Sequence, residues 1–567
     1  MFADMGFVAP TSLEVGNWIL LSFPKMVAVA SNIASDGDSE LVAVGTPVYK
    51  GLDYTGSLAA LLQDYLYDRI NYEQLIGQYT LLFCHEDTIE IMCDPLGSKH
   101  LFTDNDYCVF SSHMLPICQY LEGDLHVNRK AFYEKFLTGI IMPPNTLFEE
   151  IVQIDKNMAE DITRECTGIG FIRGASFHAS DNRATTFSES LAEQAKALQA
   201  YFELLSNTGR DGTDIGLSGG YDSRLGFACL HQYTRRKLHL HSHATENVHL
   251  KDLTIAKQMA DHVGVPCHTV PTRKLSHCDH VDDILRKSIL YFDGRSSFSI
   301  GGCGEVYTAS YRVESTEGTP FTLTGVGGEL YRNVFDIGFK TIRFDRFMED
   351  KVFSHSFKNA IPESLYREMK DDIINRAAAR LGIDQRGRQS KAVAHRYYCE
   401  IMMPDGQGTA VDAYNQVSCC VAPFMEPRII VKGYEAIPFH HSGGEFEGKL
   451  IEYIDPGLAA IPSSYGYPLA CRPVKAKIKE SLRTYIPTSL WSKLSGAFIH
   501  QQKKHNSADI LKELYGNSRT LEDAYSYMVS LFPEVQFSDF LRNGEDIRRA
   551  QFVAMTLFMH RERIKDK

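Results

Sequence analysis

Short apolar runs broken by turn residues dominate roughly the first 170 positions of the chain. Segments such as YTLLFCHED, TIEIMCDPLG and DYCVFSS combine β-branched and aromatic residues with Gly, Pro, Asn or Asp at or near their ends. This combination is typical of strands. The pattern predicts a sandwich-like domain built from short strands.

The pattern changes between residues 172 and 184, where the chain becomes small and polar (GASFHASDN). Directly afterwards, Thr186 and Glu189 form a T-x-x-E capping box, and apolar residues then recur at helical spacing. A polar stretch ahead of a helix start indicates a connection between two units. We therefore predict two domains, residues 1–175 and residues 176–567.

The second domain alternates strand-like and helix-like segments. The strand patterns are DIGLSGG, KLHLHSHA, VPCHTVP and TPFTLTGVGGEL, and helical patterns begin at about Asp222 and cover Asp252 to Val263. Such alternation predicts an α/β domain in which helices flank both faces of a parallel sheet. From roughly residue 345 onward helix formers dominate, which predicts an α-helical extension packed around the same sheet.

Composition narrows the function classes. Of the 567 residues, 44% are hydrophobic and 23% charged, which is ordinary for globular proteins. The net charge of −12 argues against nucleic-acid binding, because phosphate backbones are held by clustered Lys and Arg. The sequence has neither an apolar run of about 18 residues nor a secretory signal, so we expect a cytoplasmic protein without membrane contact. The 13 cysteines form no CxxC pair, and we expect buried thiols.

The strongest chemical signal is the segment LSGGYDSR at residues 217–224, which lies between a short apolar strand and a helix pattern. The glycines allow a tight turn, while serine hydroxyls and helix-start amides point at any anion placed there. Asp222 would repel a phosphate directly, so we predict that it holds Mg²⁺ bridging to ATP. The alternative is a glycine-rich turn with an Asp N-cap. The predicted ATP-binding residues are Leu217, Ser218, Gly219, Gly220, Tyr221, Asp222 and Ser223.

A second glycine-rich element, LTGVGGELYR at residues 323–332, also follows a strand pattern and precedes an acid. Its alternative interpretation is an ordinary βα loop. The first motif lacks the lysine of a γ-phosphate-transferring P-loop and resembles that of the PP-loop ATP pyrophosphatases, which leave AMP on their substrate. Together, the two elements and the helix between them resemble the synthetase domain of class-B asparagine synthetases.

The resemblance implies roles for further residues. Glu329 aligns with the magnesium-binding acid of the family, and Thr324 and Gly325 would flank the adenosine. Ser242 and His243 would contact adenine from the end of the strand KLHLHSHA. Val326 stands where asparagine synthetases have a glutamate, which weakens the expectation of aspartate-to-asparagine chemistry.

The amino-terminal part carries the same resemblance in CDPLGSKHLF (residues 93–102) and VFSSH (residues 109–113). It implies an αββα sandwich of the Ntn type, that is, a glutamine amidotransferase-like domain. The nucleophile of that family is a cysteine directly after the initiator Met, whereas here Met1 is followed by Phe2 and the first cysteine is Cys84. We therefore expect a scaffold that does not hydrolyse glutamine.

Two catalytic candidates are implied by their positions. Lys449 lies about where the family has its catalytic lysine, and a fixed cation there would neutralise charge on the intermediate and on the departing phosphate. Lys432 is the fallback, and a solvated surface lysine is the alternative. Asp293 lies where the family places residues that face the acyl substrate, although a helix or turn cap is an equal alternative.

The segment HLHSHATENVH places His239, His241 and His243 on one strand face. Successive side chains on such a face lie about 7 Å apart, which disfavours a shared zinc ion at about 2.1 Å from each ligand. Metal binding by these histidines is therefore not expected.

The expected function is ATP-dependent amide-bond formation through an acyl-adenylate, with AMP and pyrophosphate released. Because it lacks this cysteine, the chain resembles the branch of the family that contains β-lactam synthetases and lasso-peptide cyclases, which use an amine of the same molecule. The substrate would be a carboxylate-bearing small molecule or peptide, with a precursor peptide or a carrier as a further partner. Two alternatives remain open: an ammonia-dependent asparagine synthetase-like enzyme and a non-catalytic ATP-binding regulator.

Overall fold

The structure is a computed structural model that describes most of the chain. The described residues are 2–27, 30–155, 157–174, 186–244, 250–272, 275, 278–295, 305–441, 443–469, 471–485, 518–541 and 544–564. The predicted domain boundary between residues 175 and 176 lies outside this set. The T-x-x-E prediction is confirmed, because Thr186 and Glu189 form a reciprocal capping box at the start of a helix.

Mostly antiparallel sheets occupy the first part of the described chain. A five-stranded sheet has the order β10-β6-β5-β4-β3, a three-stranded sheet the order β8-β7-β9, and β1 pairs with β2. Their pairs are antiparallel except β10–β6. The strands are β1 (Thr11–Val15), β2 (Trp18–Ser22), β3 (Ile33–Asp36), β4 (Ser39–Tyr49), β5 (Leu75–His85), β6 (Thr88–Cys93), β7 (Phe102–Asp104), β8 (Phe110–Ser111), β9 (Ile151–Gln153) and β10 (Ile169–Phe171). The helices are α1 (Phe2–Met5), α2 (Tyr54–Leu66), α3 (Met114–Tyr120), α4 (Arg129–Thr138) and α5 (Ala159–Glu165).

An all-parallel sheet of five described strands forms the centre of the second part, as the alternating pattern predicted. Its order is β13-β12-β11-β14-β17, and all four pairs are parallel. The strands are β11 (Thr213–Gly216), β12 (Leu238–Ala244), β13 (Cys267–Pro271), β14 (Phe321–Leu323) and β17 (Cys419–Val421). Helices α6 (Phe187–Leu204), α7 (Asp222–Tyr233), α8 (Leu250–Val263), α9 (Val281–Tyr291) and α10 (Ala309–Ser315) alternate with these strands.

Helices dominate the rest of the described chain, again as predicted. A small antiparallel pair, β15 (Thr341–Arg343) and β16 (Arg388–Ser390), interrupts them. The helices are α11 (Phe344–Phe347), α12 (His355–Lys358), α13 (Glu363–Leu381), α14 (Ala392–Tyr397), α15 (Gly408–Val417), α16 (Pro427–Ala436), α17 (Glu445–Ile454), α18 (Pro456–Ala460) and α19 (Val474–Tyr485), followed by Arg519–Leu531, Phe537–Phe540 and Gly544–Met559. Wider π-type turns occur at Met348–Val352 and Tyr398–Gln407, and 3₁₀ turns at Tyr72–Gln74, Glu305–Tyr307, Gly328–Tyr331, Pro423–Met425 and Ile437–Phe439.

One apolar core extends across both parts of the chain. The same buried cluster contains Leu41 and Tyr79 from the antiparallel sheet and Ile215 and Leu240 from the parallel sheet. Burial of apolar surface is the main favourable contribution to folding. The two sheets therefore stabilise one another.

A set of buried hydrogen bonds, here called the polar seam, also joins the two sheets. It consists of Thr46, Gln78, Asn415 and Ala422. The side chain of Gln78 donates to the carbonyl of Ala422 at 3.2 Å and accepts from its amide at 2.8 Å. The hydroxyl of Thr46 donates to the Asn415 side chain at 2.6 Å. These bonds fix the end of β17 relative to the antiparallel sheet.

None of the described helices is both long enough and apolar enough to cross a membrane.

Candidate functional site

The order in which the chain adds strands to the parallel sheet reverses between β11 and β14. From β11 the chain adds β12 and then β13 on one side, and it returns to add β14 and then β17 on the other side. Ligands in open α/β sheets bind at the carboxyl ends of the strands at such a switch point. Both glycine-rich segments predicted from the sequence leave the sheet at this point, one after β11 and one after β14.

The first glycine-rich loop is anchored to the end of β12. The amide of Leu217 donates to the carbonyl of His241 at 2.8 Å, and the hydroxyl of Ser242 donates to the carbonyl of Leu217 at 2.9 Å. Across the turn, the hydroxyls of Ser218 and Ser223 lie 3.0 Å apart in an exposed pair. The loop therefore presents two hydroxyls to solvent at the start of α7.

Two neighbouring glycines of this loop have different surroundings. The amide of Gly219 donates to Asp252 at 2.8 Å, and its carbonyl accepts from the amide of Ser464 at 3.0 Å. A Cβ on Gly219 would lie 2.6 Å from the Asp252 carboxylate. A Cβ on Gly220 would lie 3.5 Å from its nearest neighbour, the Ser218 hydroxyl. Gly219 therefore packs against the protein, whereas the side of Gly220 is open for a ligand.

The second glycine-rich loop lies in backbone contact with the first. A Cβ on Gly325 would lie 2.8 Å from the carbonyl carbon of Asp222 and from the amide of Ser223, and one on Gly328 would collide with the Asp222 carboxylate. Gly327 has a φ of +91°, a conformation that favours glycine. The absence of side chains at these positions thus lets the turn that carries Glu329 approach Asp222.

Three carboxylates converge on one guanidinium at this point. The Nη2 of Arg332 donates to Asp222 and lies 3.7 Å from Oε1 of Glu329, while its Nε lies 3.0 Å from Oε2 of Glu447. We call Asp222, Glu329 and Glu447 the acidic cluster. The side chain of Glu447 is fully buried, whereas those of Asp222 and Glu329 are 31% and 34% exposed.

Burial and mutual repulsion disfavour ionisation in the acidic cluster. Desolvation and the nearby Glu329 raise the pKa of Asp222 to about 6 despite the Arg332 guanidinium. Desolvation raises the pKa of Glu447 well above its ordinary value. A divalent cation would relieve both effects, because carboxylate oxygens are the ligands that Mg²⁺ prefers. The donor set therefore fits the predicted Mg²⁺, with Asp222 and Glu329 as its partly exposed ligands.

Glu329 is oriented by residues that the sequence did not reveal. Its Oε2 accepts from the hydroxyl of Tyr398 at 2.9 Å, and Gln407 donates to that hydroxyl at 2.8 Å. Both partners come from the π-type turn that contains Tyr398–Gln407. The carboxylate is thereby held facing Arg332.

The predicted adenosine contacts surround the same edge of the sheet. The amide of Thr324 donates to the carbonyl of Val421 at 3.0 Å, which continues the β14–β17 pairing into the second loop. At the end of β12, the ring of His243 stacks on Tyr311 with centroids 5.6 Å apart, and their Nδ1 and hydroxyl lie 2.9 Å apart. Ser242 is buried and bonded to Leu217, so its side chain supports the first loop.

The two predicted lysines pair with acids outside the acidic cluster. Lys449 follows Glu447 by two residues on α17, which turns its side chain by about 200° around the helix. Its Nζ lies 2.7 Å from Glu452, and 36% of its side chain is exposed. Lys432 pairs with Glu435 at 2.6 Å and with Glu193 at 3.1 Å. A catalytic role for either lysine stays a prediction that this geometry does not support.

Asp293 lies at the junction of the two parts of the chain. Its carboxylate accepts from the amides of Met114 and Leu115 at 2.6 and 2.9 Å, and it lies 3.3 Å from Arg295. It therefore caps the start of α3. Desolvation raises its pKa to about 6, although Arg295 opposes the shift. The cap interpretation accounts for these contacts, and contact with an acyl substrate stays a prediction.

His239 and His241 of β12 form a separate group with Asp214 of β11. One oxygen of Asp214 lies 3.0 Å from Nδ1 of His239 and 2.7 Å from Nδ1 of His241. The three ligand atoms lie within 4.8 Å of one another. Arg312 also approaches Asp214, at 3.7 Å. The shared carboxylate accounts for the Nδ1 atom of both imidazoles, and hydrogen bonding of this kind is an ordinary role for buried polar groups.

Cys84 lies inside the antiparallel sheet on β5. It is buried, and desolvation together with the nearby Glu40 raises its pKa to about 12. Only a thiolate acts as a nucleophile, and this thiol stays neutral near pH 7. Cys84 is therefore unsuited to hydrolyse glutamine.

No protein-family model matches the chain, and no curated protein is significantly similar to it. Within the described residues, the two glycine-rich loops and the acidic cluster carry the chemistry that indicates a function. Their juxtaposition at the switch point of a parallel sheet is the most specific arrangement among the described residues.

Proposed function

We propose that the protein is an ATP-dependent, AMP-forming carbon–nitrogen ligase that resembles class-B asparagine synthetases. One observation supports this most strongly: the loops after β11 and β14 lie in backbone contact and bring Asp222 and Glu329 together at the switch point. In this proposal the second part of the chain is a synthetase domain of the PP-loop type. The first part is an αββα Ntn-type sandwich that serves as a scaffold.

The residues of the site divide between phosphate and metal binding. The exposed hydroxyls of Ser218 and Ser223 and the open side of Gly220 receive the departing pyrophosphate. Asp222 and Glu329 would hold Mg²⁺, which supplies neutralisation of phosphate charge when bound. The adenosine lies between the ends of β12 and β14.

The acid substrate is a carboxylate-bearing small molecule or peptide, delivered free or on a precursor peptide or carrier. Its carboxylate attacks the α-phosphate of ATP, the bond to pyrophosphate breaks, and an amine then displaces AMP from the acyl-adenylate. The buried, neutral Cys84 supports an amine source other than glutamine. An amine on the same molecule, as in β-lactam synthetases and lasso-peptide cyclases, meets this requirement.

Pyrophosphate–ATP exchange with Mg²⁺ tests the proposal across a panel of amino acids, their derivatives and short peptides. We expect acid-dependent exchange, release of AMP rather than ADP when an amine completes the reaction, and a loss of exchange of about 100-fold or more in Asp222→Asn. Asp283→Asn is the matched control, since it removes a half-exposed carboxylate paired with Lys287 on α9. Release of ADP, or full exchange by Asp222→Asn, contradicts the proposal.

A second candidate is a non-catalytic ATP-binding regulator. This candidate is favoured by the position of Lys449, which pairs with Glu452 instead of facing the acidic cluster. Among the described residues, the cation at the acidic cluster is Arg332 and not the catalytic lysine that the family resemblance implies. ATP binding without exchange under any substrate identifies this case. Amide formation and AMP release that need added ammonium would instead identify an ammonia-dependent asparagine synthetase-like enzyme.

A further inference from the structure

Arg332 is held from several sides at the centre of the acidic cluster. Its backbone amide donates to the carbonyl of Glu329 at 2.9 Å at the end of the second loop. Its guanidinium lies 5.6 Å from the ring centroid of Tyr221 and pairs with the three carboxylates described above. The side chain is mostly buried, with 20% exposed. Such a fixed, multiply paired guanidinium is a built feature rather than a chance surface contact.

One guanidinium nitrogen of Arg332 lies where a metal ion bound by Asp222 and Glu329 would be expected. Nη2 of Arg332 approaches Oδ1 of Asp222 and Oε1 of Glu329 together. Because Oε2 of Glu329 accepts from Tyr398, a Mg²⁺ ion shared by these two carboxylates at about 2.1 Å would approach the oxygens that face the guanidinium. The guanidinium and the metal therefore exclude one another.

We propose that Arg332 is an internal cation at the position where a divalent ion would bind Asp222 and Glu329, and that such an ion binds these two carboxylates only after Arg332 leaves them. The inference concerns the regulation of the proposed ATP site and rests on that proposal for the identity of the nucleotide. The competition between Arg332 and a metal ion follows from the geometry and needs no nucleotide.

Glu447 can keep the Arg332 side chain in the site after Nη2 has left Asp222 and Glu329. Its buried carboxylate contacts Nε of Arg332, whereas Nη2 faces Asp222 and Glu329. Because the guanidinium is planar, rotation about the Cδ–Nε bond can move Nη2 away from Asp222 and Glu329 while Nε stays beside Glu447. Arginine can bind phosphate through two parallel hydrogen bonds, so a bound nucleotide would stabilise the moved position of Arg332. Metal and nucleotide are thus expected to bind with positive coupling.

The test uses Mn²⁺ as the probe and the full-length protein without nucleotide. The free Mn²⁺ concentration is followed by electron paramagnetic resonance during titration of wild type and Arg332→Met. We expect Mn²⁺ to bind about tenfold or more tightly to Arg332→Met, because the carboxylates lose their paired cation. The matched control is Arg343→Met, which removes an exposed arginine of β15 that pairs with Asp345 of α11.

Equal Mn²⁺ affinity in folded wild type and Arg332→Met overturns the inference. If Arg332→Met does not fold, Arg332→Lys replaces it, and its shorter reach should still tighten Mn²⁺ binding several-fold; no change overturns the inference equally. The readout involves neither ATP nor turnover. If Arg332→Met binds Mn²⁺ more tightly but wild type does not bind ATP, the proposed function is refuted and this inference stands. If wild type binds ATP but Arg332→Met binds Mn²⁺ no more tightly than wild type, this inference is refuted and the proposed function stands.

Discussion

At the scale of single residues, the site depends on side chains that are absent as much as on those present. Gly325 lets the backbone of the second loop touch that of Asp222 and Ser223, and Gly328 leaves room for the Asp222 carboxylate. A methyl group at either position has no space, since the neighbouring atoms belong to the backbone or to a packed side chain. The distance between the two acids is therefore set by glycines.

Gly325→Ala tests this close approach. We expect a loss of about 1–3 kcal/mol in the free energy of unfolding, because the added Cβ meets backbone atoms at 2.8 Å. Urea unfolding and ATP-binding calorimetry give the two readouts, and ATP affinity should fall as well. Gly220→Ala is the matched control in the same site: it should keep stability within about 0.5 kcal/mol and still weaken ATP binding. Equal stability of both variants would contradict the tight contact.

At the scale of elements, local signals in the sequence predicted the secondary structure well. The capping box at Thr186, the helix starting at Asp222 and the strands either side of it are all present. Each depends on residues within one turn or one strand, which is why a pattern reveals them. The helix predicted over Asp252 to Val263 is present within Leu250–Val263.

Thr186→Ala should remove the cap of α6. The hydroxyl accepts from the amide of Glu189 at 3.2 Å, and its loss leaves that amide without its capping partner. We expect a decrease of about 0.5–2 kcal/mol in unfolding free energy, measured by urea denaturation. Ser188→Ala, on an exposed position of the same first turn, is the control and should change stability by less than about 0.5 kcal/mol.

The pairing of β11 with β12 carries a pH-dependent contribution. A hydrogen bond to Asp214 raises the pKa of His239 above its ordinary value of 6.5. A raised histidine pKa stabilises the fold fully below the unfolded-state pKa, and the contribution disappears as pH rises through the folded-state pKa. The stability difference between wild type and His239→Gln should therefore be larger at pH 6 than at pH 8.5. A difference that grows with pH would show that the charged imidazole is not stabilising.

At the scale of the whole molecule, the site is assembled by long-range packing. The two loops were predictable because glycines, serines and acids lie close together in the sequence. Arg332 was part of the second motif, but nothing local showed that it would contact Glu447, which lies on α17. Lys449 and Asp293 were placed by resemblance, and their side chains contact Glu452 and α3 instead. Orientation around a helix and contacts across the chain depend on tertiary structure, which a short motif does not encode.

Gln78→Ala tests the polar seam. The substitution leaves the buried amide of Ala422 without its partner, at about 1–3 kcal/mol, whereas the carbonyl of Ala422 still accepts from the amide of Met425 at 3.0 Å. Because Ala422 follows Val421, whose carbonyl accepts from Thr324, we expect weaker ATP binding together with lower thermal stability. Gln63→Ala removes an exposed glutamine bonded to Asp36 and serves as the control. A drop in stability with unchanged ATP affinity would show that the seam supports the fold without reaching the site.

The shared core also limits how the gene for this chain can change. Deletion of one half would expose the apolar residues of the other half, such as Leu41 or Ile215, to water. Substitutions in either half are therefore tolerated more readily than the loss of a whole half. A half that performs no chemistry would still be retained for this reason. Chimaeras made by exchanging halves between relatives would have to exchange both sides of the polar seam together.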